Sequence, residues 1–371
     1  SYRVTETAGN ALTFTFEAEA SDGSSSQAAH TVDLVPVKGD FSIGFVSDMN
    51  GGYGSTSYDA AVRNAFAFFV DQGVDAVISG GDMVAGGCSS SCGEDAMWAG
   101  FDAQLYGQLK NAGIPFLFTL QNHDAGNAWD VQGAVKFWTN AANKPQGPSL
   151  TMVDDTNFPK NYSATLDFDK DGVADVFFVS VFNPGDDLNA TELAFMDATL
   201  GSQAAQAARI RMVVTGQPLY AVSGPRNSSG YITAPRDEIM EIMGRHNVTL
   251  FAAGDSAAYY PGKRFGIQML SLAEMGGVGK PYLGESQVPP TAVTRADIFK
   301  DHPYYGKNAI VFTTYDTRNN FKIVRKEALP TALFGFDNEF VMRNDLPVAS
   351  DGATVLSSMN LTRPFDSSAK G

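Results

Sequence analysis

The first 38 residues alternate apolar and polar positions on both sides of a turn sequence, SDGSSS, that begins at Ser21. An alternation with a period of two is typical of strands that bury one face, and a turn rich in Ser, Asp and Gly joins antiparallel neighbours. The pattern therefore predicts an N-terminal β-hairpin segment over residues 1–38.

From Phe41 the pattern changes to short apolar runs that alternate with segments of helical periodicity. The apolar runs read FSIGFVSD, VDAVISGGD and IPFLFTLQNHD, and the helical segments between them read YDAAVRNAFAFFVDQG and AMWAGFDAQLYGQLKNAG. The order strand, helix, strand, helix, strand predicts right-handed βαβ units and a parallel sheet.

The second half of the chain mixes hairpin and α/β patterns. YSATLDF and ADVFFVSVF flank DKDG and predict a hairpin, whereas RDEIMEIMGRHN predicts a helix that leads into the apolar run VTLFAAGD. After Pro281 the pattern is irregular, with short strands such as NAIVFTTYD. We therefore expect a main domain over residues 39–330 and a C-terminal extension or tail over residues 331–371.

Composition narrows the class of protein. The chain has 371 residues, 44% of them hydrophobic and 18% charged, and its formal net charge is −15. This acidic balance argues against nucleic acid or an anionic membrane surface as the main partner. No apolar run is long enough to span a bilayer, so we expect no membrane span.

The two cysteines, Cys88 and Cys92, stand four residues apart in CSSSC. They could close a small disulfide loop or bind a metal, although no His or further Cys lies nearby to complete a zinc site. Five N-x-S/T sequons permit glycosylation. Together these features favour a secreted, extracellular setting, or a periplasmic or cell-surface one. The sequons begin at Asn161, Asn189, Asn227, Asn247 and Asn360.

Polar side chains follow three consecutive predicted strands. Asp48 and Asn50 follow the first, Asp82 the second, and Asn122 and His123 the third. Because parallel strands deliver their carboxyl ends to one edge of a sheet, these side chains should lie together. Their oxygen and nitrogen atoms suit divalent metals, and a carboxylate that bridges two metals can help to clamp a phosphate and activate water.

These motifs resemble those of the calcineurin-like metallophosphoesterases, whose signature reads D-x-H, G-D, G-N-H-D/E, a late His two residues before a Pro, and G-H-x-H. The resemblance covers about residues 41–280, and the sequence is similar to a secreted bacterial branch with D-x-N at the first motif. It implies an α/β fold, a four-layer metallophosphoesterase sandwich of two central β-sheets flanked by helices. The N-terminal β-hairpin and an irregular C-terminal extension would be added to it.

The resemblance also implies roles for the matching residues. Asp48, with Asn50 in place of a His, would bind the first metal, and Asp82 would bridge both metals. Asn122 would bind the second metal. His123 would contact the phosphate and assist the leaving group, and it is the expected catalytic residue if the protein is active.

The sequence departs from the signature at several ligand positions. Gln121 replaces the Gly before Asn122, and Gly216 stands where the late His would be. Asp255 and Ala257 replace the two histidines of the last motif. What remains is rich in oxygen, which favours calcium or magnesium over zinc, iron or manganese.

Three interpretations of the candidate site remain. The first is a degenerate, non-catalytic member of the family with a binding or structural role, including self-assembly through its terminal strands. The second is an active phosphomono- or phosphodiesterase that uses one ion on Asp48, Asp82 and Asn122 and binds a phosphate ester. The third is an unrelated α/β protein with Asp and Asn in its loops by chance.

A second acidic motif, DFDKDGVAD, places carboxylates at positions 1, 3, 5 and 9 and Gly172 at position 6. This spacing fits the start of a calcium-binding loop, although Phe178 stands where an EF-hand would have a Glu. A simple turn between two strands is the alternative, and both can hold. The carboxylates are Asp167, Asp169, Asp171 and Asp175.

Overall fold

The structure is a computed structural model of the chain. It describes residues 2–7, 11–19, 24–33, 38–185, 187–226, 230–264, 266–282, 286, 288–302 and 306–329. The chain divides into two compact units, Ser1–Gly39 and Asp40–Gly371. The extension expected over residues 331–371 lies outside the described residues.

The first unit is an antiparallel sheet of three strands in the order β1-β2-β3. The pairing of β2 with β3 across the predicted turn sets Phe14 opposite His30 and makes the expected hairpin. Strand β1 adds to the free edge of β2. The strands are β1 (Tyr2–Thr7), β2 (Ala11–Glu19) and β3 (Ser25–Asp33).

The second unit contains eight helices among its described residues, and a π-helical turn, Asp102–Tyr106, joins the second to the third. Asp59 caps the first helix by accepting a hydrogen bond from the amide of Ala61, and Gly73 ends it in a left-handed conformation. The helices are α1 (Ala60–Gln72), α2 (Glu94–Phe101), α3 (Gly107–Ala112), α4 (Asn122–Ala125), α5 (Ala128–Trp138), α6 (Ala190–Leu200), α7 (Gln203–Ala207) and α8 (Arg236–Arg245).

The remaining thirteen strands of the described chain form two sheets. They are β4 (Phe41–Val46), β5 (Ala76–Ser79), β6 (Phe116–Phe118), β7 (Leu150–Asn157), β8 (Asn161–Leu166), β9 (Val176–Val181), β10 (Ile210–Thr215), β11 (Leu250–Ala253), β12 (Tyr260–Arg264), β13 (Ile267–Ser271), β14 (Ala292–His302), β15 (Gly306–Asp316) and β16 (Lys322–Leu329). One sheet has the order β16-β15-β14-β4-β5-β6 and the other β12-β13-β11-β10-β9-β8-β7.

Both sheets are mixed. Strands β4, β5 and β6 are parallel, as the βαβ pattern predicts, and β9, β10, β11 and β13 are parallel in the second sheet. Strands β8 and β9 form the hairpin predicted around DKDG. Strand β14 lies antiparallel to β4, in a region that the sequence pattern left irregular.

The reason that β14 escaped prediction is its buried charge. Arg295 and Asp297 lie within the strand, both almost fully buried, and their side chains pair at 2.9 Å. Because each charge is compensated by the other, neither side chain is buried as an unpaired charge. The strand therefore lacks the apolar alternation that normally marks a buried strand.

The described hydrophobic core has two large clusters, one on each face of the seven-stranded β12–β7 sheet, and a small third cluster of Phe299, Ala309 and Val311. Phe178 of β9 joins the larger core, which includes Phe66 of α1 and Phe45 of β4. Its neighbour Phe177 points to the opposite face and packs with α6 and α8. Successive residues of β9 thus contact opposite faces of the seven-stranded sheet. This sheet is buried between the six-stranded sheet and these helices.

Candidate metal centre

The candidate site forms where loops after strands of both sheets meet. Asp48 follows β4, Asp82 follows β5, and Asp255 follows β11. The two sheets approach closely at glycines, since a Cβ atom on Gly254 would lie 2.9 Å from the carbonyl oxygen of Gly80. Because neither Gly80 nor Gly254 has a side chain, the two backbones can approach closely here.

Three carboxylates gather at this meeting point. Asp48, Asp82 and Asp255 each offer an oxygen atom within 4.8 Å of the others, and the residues are 4%, 3% and 1% exposed. Their φ angles are 48°, 52° and 58°, in the left-handed region. That conformation costs a non-glycine residue on the order of 1 kcal/mol, and such strain is concentrated at functional sites. The cluster can hold a metal ion.

Neighbouring donors orient the first two carboxylates. The hydroxyl of Ser47 donates to Oδ2 of Asp48 at 2.6 Å, and the amide of Asp255 donates to the same oxygen at 3.1 Å. The amide of His123 donates to Oδ1 of Asp82 at 3.0 Å. These bonds fix the carboxylates before any ligand arrives.

The third carboxylate is held by a cation and an amide. Nη2 of Arg226 lies 3.1 Å from Oδ1 of Asp255, and Nε2 of Gln121 donates to the same oxygen at 3.1 Å. Nε of Arg226 also donates to the backbone carbonyl of Asp255 at 3.1 Å. Oδ2 of Asp255 is buried and accepts no hydrogen bond from any described residue.

The electrostatics of the site favour a cation. Burial raises the pKa of Asp48 and, together with the charges of its carboxylate neighbours, raises the pKa of Asp82 well above its usual range. Burial raises the pKa of Asp255 to about 6 against the opposing effect of Arg226, and raises that of nearby Glu274 to about 8. Each shift is a penalty on negative charge that a nearby cation relieves.

Gln121 fills space that three glycines leave open. A Cβ atom on Gly81 would lie 2.5 Å from Cβ of Gln121, and one on Gly216 would lie 3.1 Å from its Cγ. A Cβ atom on Gly254 would lie 2.8 Å from its Oε1. The side chain therefore occupies the region between the loops of both sheets.

Asp124, at the last position of the G-N-H-D/E motif, has a structural role that the sequence analysis did not assign to it. Its Oδ1 accepts the amides of Met83 and Val84 at 2.8 and 3.1 Å, and its Oδ2 accepts those of Asp82 and Gln121 at 2.7 and 3.2 Å. A buried carboxylate with four backbone donors fixes the loop that presents Asp82. The only signal in the sequence was its place directly after Asn-His.

The remaining expected site residues surround the cluster. His123 contacts the carbonyl oxygen of Gly86 through Nδ1 at 2.8 Å, and its ring lies 5.2 Å from that of Tyr53. Tyr53 is 71% exposed and marks the open side of the site. Asn122 begins α4 beside Gln121, and Asn50 is buried in the loop after β4. Both stay predicted ligands.

The donor set fits one hard cation better than two metal ions. Three carboxylates and two amides offer only oxygen ligands, and Oδ2 of Asp255 is buried without a hydrogen-bond donor from the described residues. The places of two histidines are taken by Gly216 and Ala257, which have no side-chain donor. A second metal ion at this centre would therefore lack protein ligands.

The second acidic motif lies in the loop between β8 and β9. Oxygens of Asp167, Asp169 and Asp175 lie within 4.8 Å of one another and could hold a metal. Lys300 pairs with Asp169, and its Nζ lies 3.8 Å from Asp175. Three of the four expected carboxylates converge; Asp171 is outside this group and pairs with Arg209 at 2.9 Å.

Cys88 and Cys92 form a disulfide with a Cα–Cα distance of 5.6 Å. The metal-ligand alternative for this pair is therefore not needed. The bridge closes a small loop between β5 and α2, beside the candidate metal centre.

No model of a protein family matches the sequence, and no curated protein sequence matches it either. Solved structures do match its fold. GAP50, the anchor in the inner membrane complex of Plasmodium, is 12% identical with a TM-score of 0.51, and the match covers 78% of this chain and 88% of that one. The purple acid phosphatase PPD1 from yellow lupin is 12% identical with a TM-score of 0.53, over 86% of this chain and 60% of that one.

These matches, together with two mixed sheets flanked by helices, show the calcineurin-like metallophosphoesterase fold. The fold class expected from the sequence is confirmed. In the described part of the chain, no helix combines the length and the apolar character that crossing a membrane requires.

Proposed function

We propose that this chain, which has the calcineurin-like metallophosphoesterase fold, is a secreted, non-catalytic member of that family with a binding or structural role. One observation carries the proposal. The carboxylate of Asp255 is held by Gln121 and Arg226, and two of the expected histidine positions carry no donor. The centre is therefore a reduced, oxygen-only cation site.

The residues that would hold a cation are Asp48, Asp82 and Asp255, with Asn50 and Asn122 beside them. Metals in sites of this kind activate water and neutralise phosphate charge when two are bound in the right geometry. A single calcium or magnesium ion on carboxylates activates water poorly compared with zinc. We expect such an ion to stabilise the loops rather than to support turnover.

The fold itself does not decide between catalysis and binding. It occurs in a purple acid phosphatase and in a protein described as an anchor. Function therefore has to be argued from the site residues, and here those residues favour a role without catalysis.

A second candidate function is hydrolysis of phosphate esters at a one-ion centre. The feature that favours it is His123, whose amide donates to Asp82 at 3.0 Å and whose ring lies beside the exposed ring of Tyr53. In that case one ion on Asp48, Asp82 and Asn122 would hold the phosphate, and His123 would protonate the leaving group.

An assay of aryl phosphate monoester and diester hydrolysis separates these two functions. We expect the wild-type chain and an Asp82→Asn variant to give the same background rate with added manganese, zinc, magnesium or calcium. A metal-dependent rate that disappears in Asp82→Asn, while its circular dichroism spectrum is unchanged, would establish the esterase function instead.

The loop that carries Asp167, Asp169 and Asp175 is the better candidate for calcium. Its three carboxylates converge, Gly172 adopts a φ of 84°, and the loop joins two paired strands. Calcium prefers several carboxylate oxygens at one point. Calorimetric titration should show calcium binding that Asp169→Asn abolishes, with Asp237→Asn as an exposed control; unchanged binding in Asp169→Asn would exclude the loop.

The proposed secreted setting and assembly role rest on two further features. The disulfide between Cys88 and Cys92 suits an oxidising compartment. The three-stranded sheet of the first unit has strand edges that could pair with another chain. Light scattering over a range of concentrations should show particle growth, whereas a constant monomer mass would contradict assembly.

A further inference from the structure

We infer that Arg226, assisted by the neutral donor Gln121, supplies an internal counter-charge that takes the place of the second cation in this centre. The inference rests on the proposed function, because it assumes that the centre no longer holds two metal ions. It concerns how the chain neutralises its own buried carboxylates.

The first step is the charge in the centre. Three carboxylates lie within 4.8 Å of one another and are almost fully buried. Buried negative charge at this density is strongly unfavourable unless cations or hydrogen-bond donors balance it. Lys280 adds positive charge near the centre, and Arg226 meets this need by direct contact, since a guanidinium is charged at every relevant pH.

The second step is the geometry of that guanidinium. Arg226 contacts Asp255 twice, through Nη2 to the carboxylate and through Nε to the backbone carbonyl, each at 3.1 Å. Two contacts of a planar fork to one residue fix both its position and its orientation. The guanidinium reaches the site from a 3₁₀ turn, Gly224–Arg226, that belongs to neither sheet edge.

The third step is the match between Gln121 and the glycines around it. Its amide donates to the same carboxylate oxygen as Arg226. Its side chain needs the space beside Gly216 and Gly254, where any larger residue would collide with it. Relative to the family signature, Gln121 replaces a Gly and Gly216 replaces a His. The two replacements fit together, because the side chain of Gln121 needs the space that a side chain at position 216 would occupy.

The consequence is competition with metal ions. Oδ1 of Asp255 already accepts donors from Arg226 and Gln121, so a metal that binds this oxygen must displace both. Oδ2 of Asp255 is buried and accepts no hydrogen bond from a described donor, so a single ion at this oxygen would displace no donor. Loss of Arg226 should therefore increase the affinity of the centre for divalent cations.

The experiment titrates manganese and calcium into the full chain by calorimetry and native mass spectrometry. All variants carry Asp169→Asn, so that the loop between β8 and β9 does not contribute. We expect Arg226→Met to bind manganese about ten- to a hundredfold more tightly than the parent. The control Arg245→Met removes a guanidinium that also pairs with an aspartate at 2.9 Å, but on the surface, and should bind like the parent.

A second readout keeps the test decisive if Arg226→Met is unstable. Its melting temperature should fall in the presence of a chelator and recover with excess manganese, and Arg226→Lys should lie between the variant and the parent in both measurements. Equal manganese affinity in the parent, Arg226→Met and Gln121→Ala would overturn the inference. Hydrolysis by the wild type would instead defeat the proposed function, and it is measured separately.

Discussion

The side chain of Gln121 lies against the backbone of Gly216: a Cβ atom on Gly216 would stand 3.1 Å from Cγ of Gln121. The same atom would stand 2.8 Å from the carbonyl oxygen of Asn183. Position 216 is therefore restricted to glycine by one movable side chain and one fixed backbone group. Restoring a histidine there would require both to give way.

We expect Gly216→Ala to lower the free energy of unfolding by about 1–3 kcal/mol, because overpacking forces neighbouring groups to shift. The double variant Gln121→Ala/Gly216→Ala should recover part of this loss, since one of the two collisions is removed. Urea denaturation of the two single variants and the double variant measures the coupling. Gly52→Ala, which meets no atom within 4 Å, is the control and should match the wild type.

Asp124→Asn tests how Asp124 supports the loop that presents Asp82. The amide keeps one acceptor oxygen but turns an NH₂ group toward backbone donors that Asp124 now accepts. Loss of charge-assisted hydrogen bonds at a buried site should lower the free energy of unfolding by about 2–4 kcal/mol. Amide hydrogen exchange at Asp82 and Met83 should accelerate more than exchange in α8. Uniform acceleration would indicate a global rather than a local effect.

Lys300→Met should strengthen calcium binding at the loop between β8 and β9. Nζ of Lys300 pairs with Asp169 and lies 3.5 Å from Asp171, so it competes with a cation for the same oxygens. Nζ of Lys300 also lies over the ring of Phe41, 5.2 Å from its centroid, and methionine replaces this cation–π contact with an apolar one. Calorimetry at low salt should show tighter binding, by about tenfold. Lys322→Met, an exposed lysine of β16, should leave the affinity unchanged.

Removal of the disulfide by Cys88→Ser/Cys92→Ser should lower the free energy of unfolding by about 2 kcal/mol, the value expected for so short a loop. The bridge restrains the segment that leads into α2, near Gly54. Thermal unfolding with and without reductant should differ for the wild type and agree for the variant. Equal melting temperatures of wild type and variant would show that the bridge adds nothing to stability.

The parts of the fold that sequence could predict are those with local signals. The strands before Asp48 and Asp82 are apolar runs that end in polar residues, and the hairpin at DKDG has a strong turn sequence. Because parallel strands align their carboxyl ends, the gathering of these two carboxylates followed from the topology.

The parts that sequence could not predict depend on contacts between distant residues. Arg226 meets Asp255 across 29 positions, and no local pattern around either residue indicates that pair. The left-handed φ of Asp48 is imposed by surrounding structure, because an isolated Asp prefers other conformations. Strand β14 was hidden by Arg295 and Asp297, whose charges pair with each other inside the sheet, while Arg295 also donates to Gln72.

A buried pair of acids behind the metal centre predicts how stability depends on pH. Glu94 of α2 is 7% exposed and Asp130 of α5 is fully buried. Neither carboxylate oxygen of Glu94 accepts a bond from a described donor, so a proton on Glu94 would relieve its repulsion with Asp130 and could be donated to it. Asp124 and Asp95 also face Glu94. Burial, Asp130 and these charges raise the pKa of Glu94 to about 8.

The sign follows from the direction of this shift. The pKa of Glu94 is higher in the folded chain than its ordinary value of 4.5, so the folded state holds the proton more tightly. The resulting stabilisation is fully present below about pH 4.5 and is lost as the pH rises through about 8, with a slope of at most about 1.4 kcal/mol per pH unit. Glu94→Gln supplies a permanent donor to Asp130 and should flatten this dependence.

Urea denaturation of the wild type and Glu94→Gln between about pH 5 and about pH 9 measures the effect. This range spans the raised pKa of Glu94, which is about 8. The variant should be the more stable protein at the alkaline end, where wild-type Glu94 must ionise beside Asp130. Glu241→Gln, an exposed change on α8, controls for the altered net charge and should follow the wild type. Parallel curves for wild type and Glu94→Gln would mean that the proton is not held between these two acids.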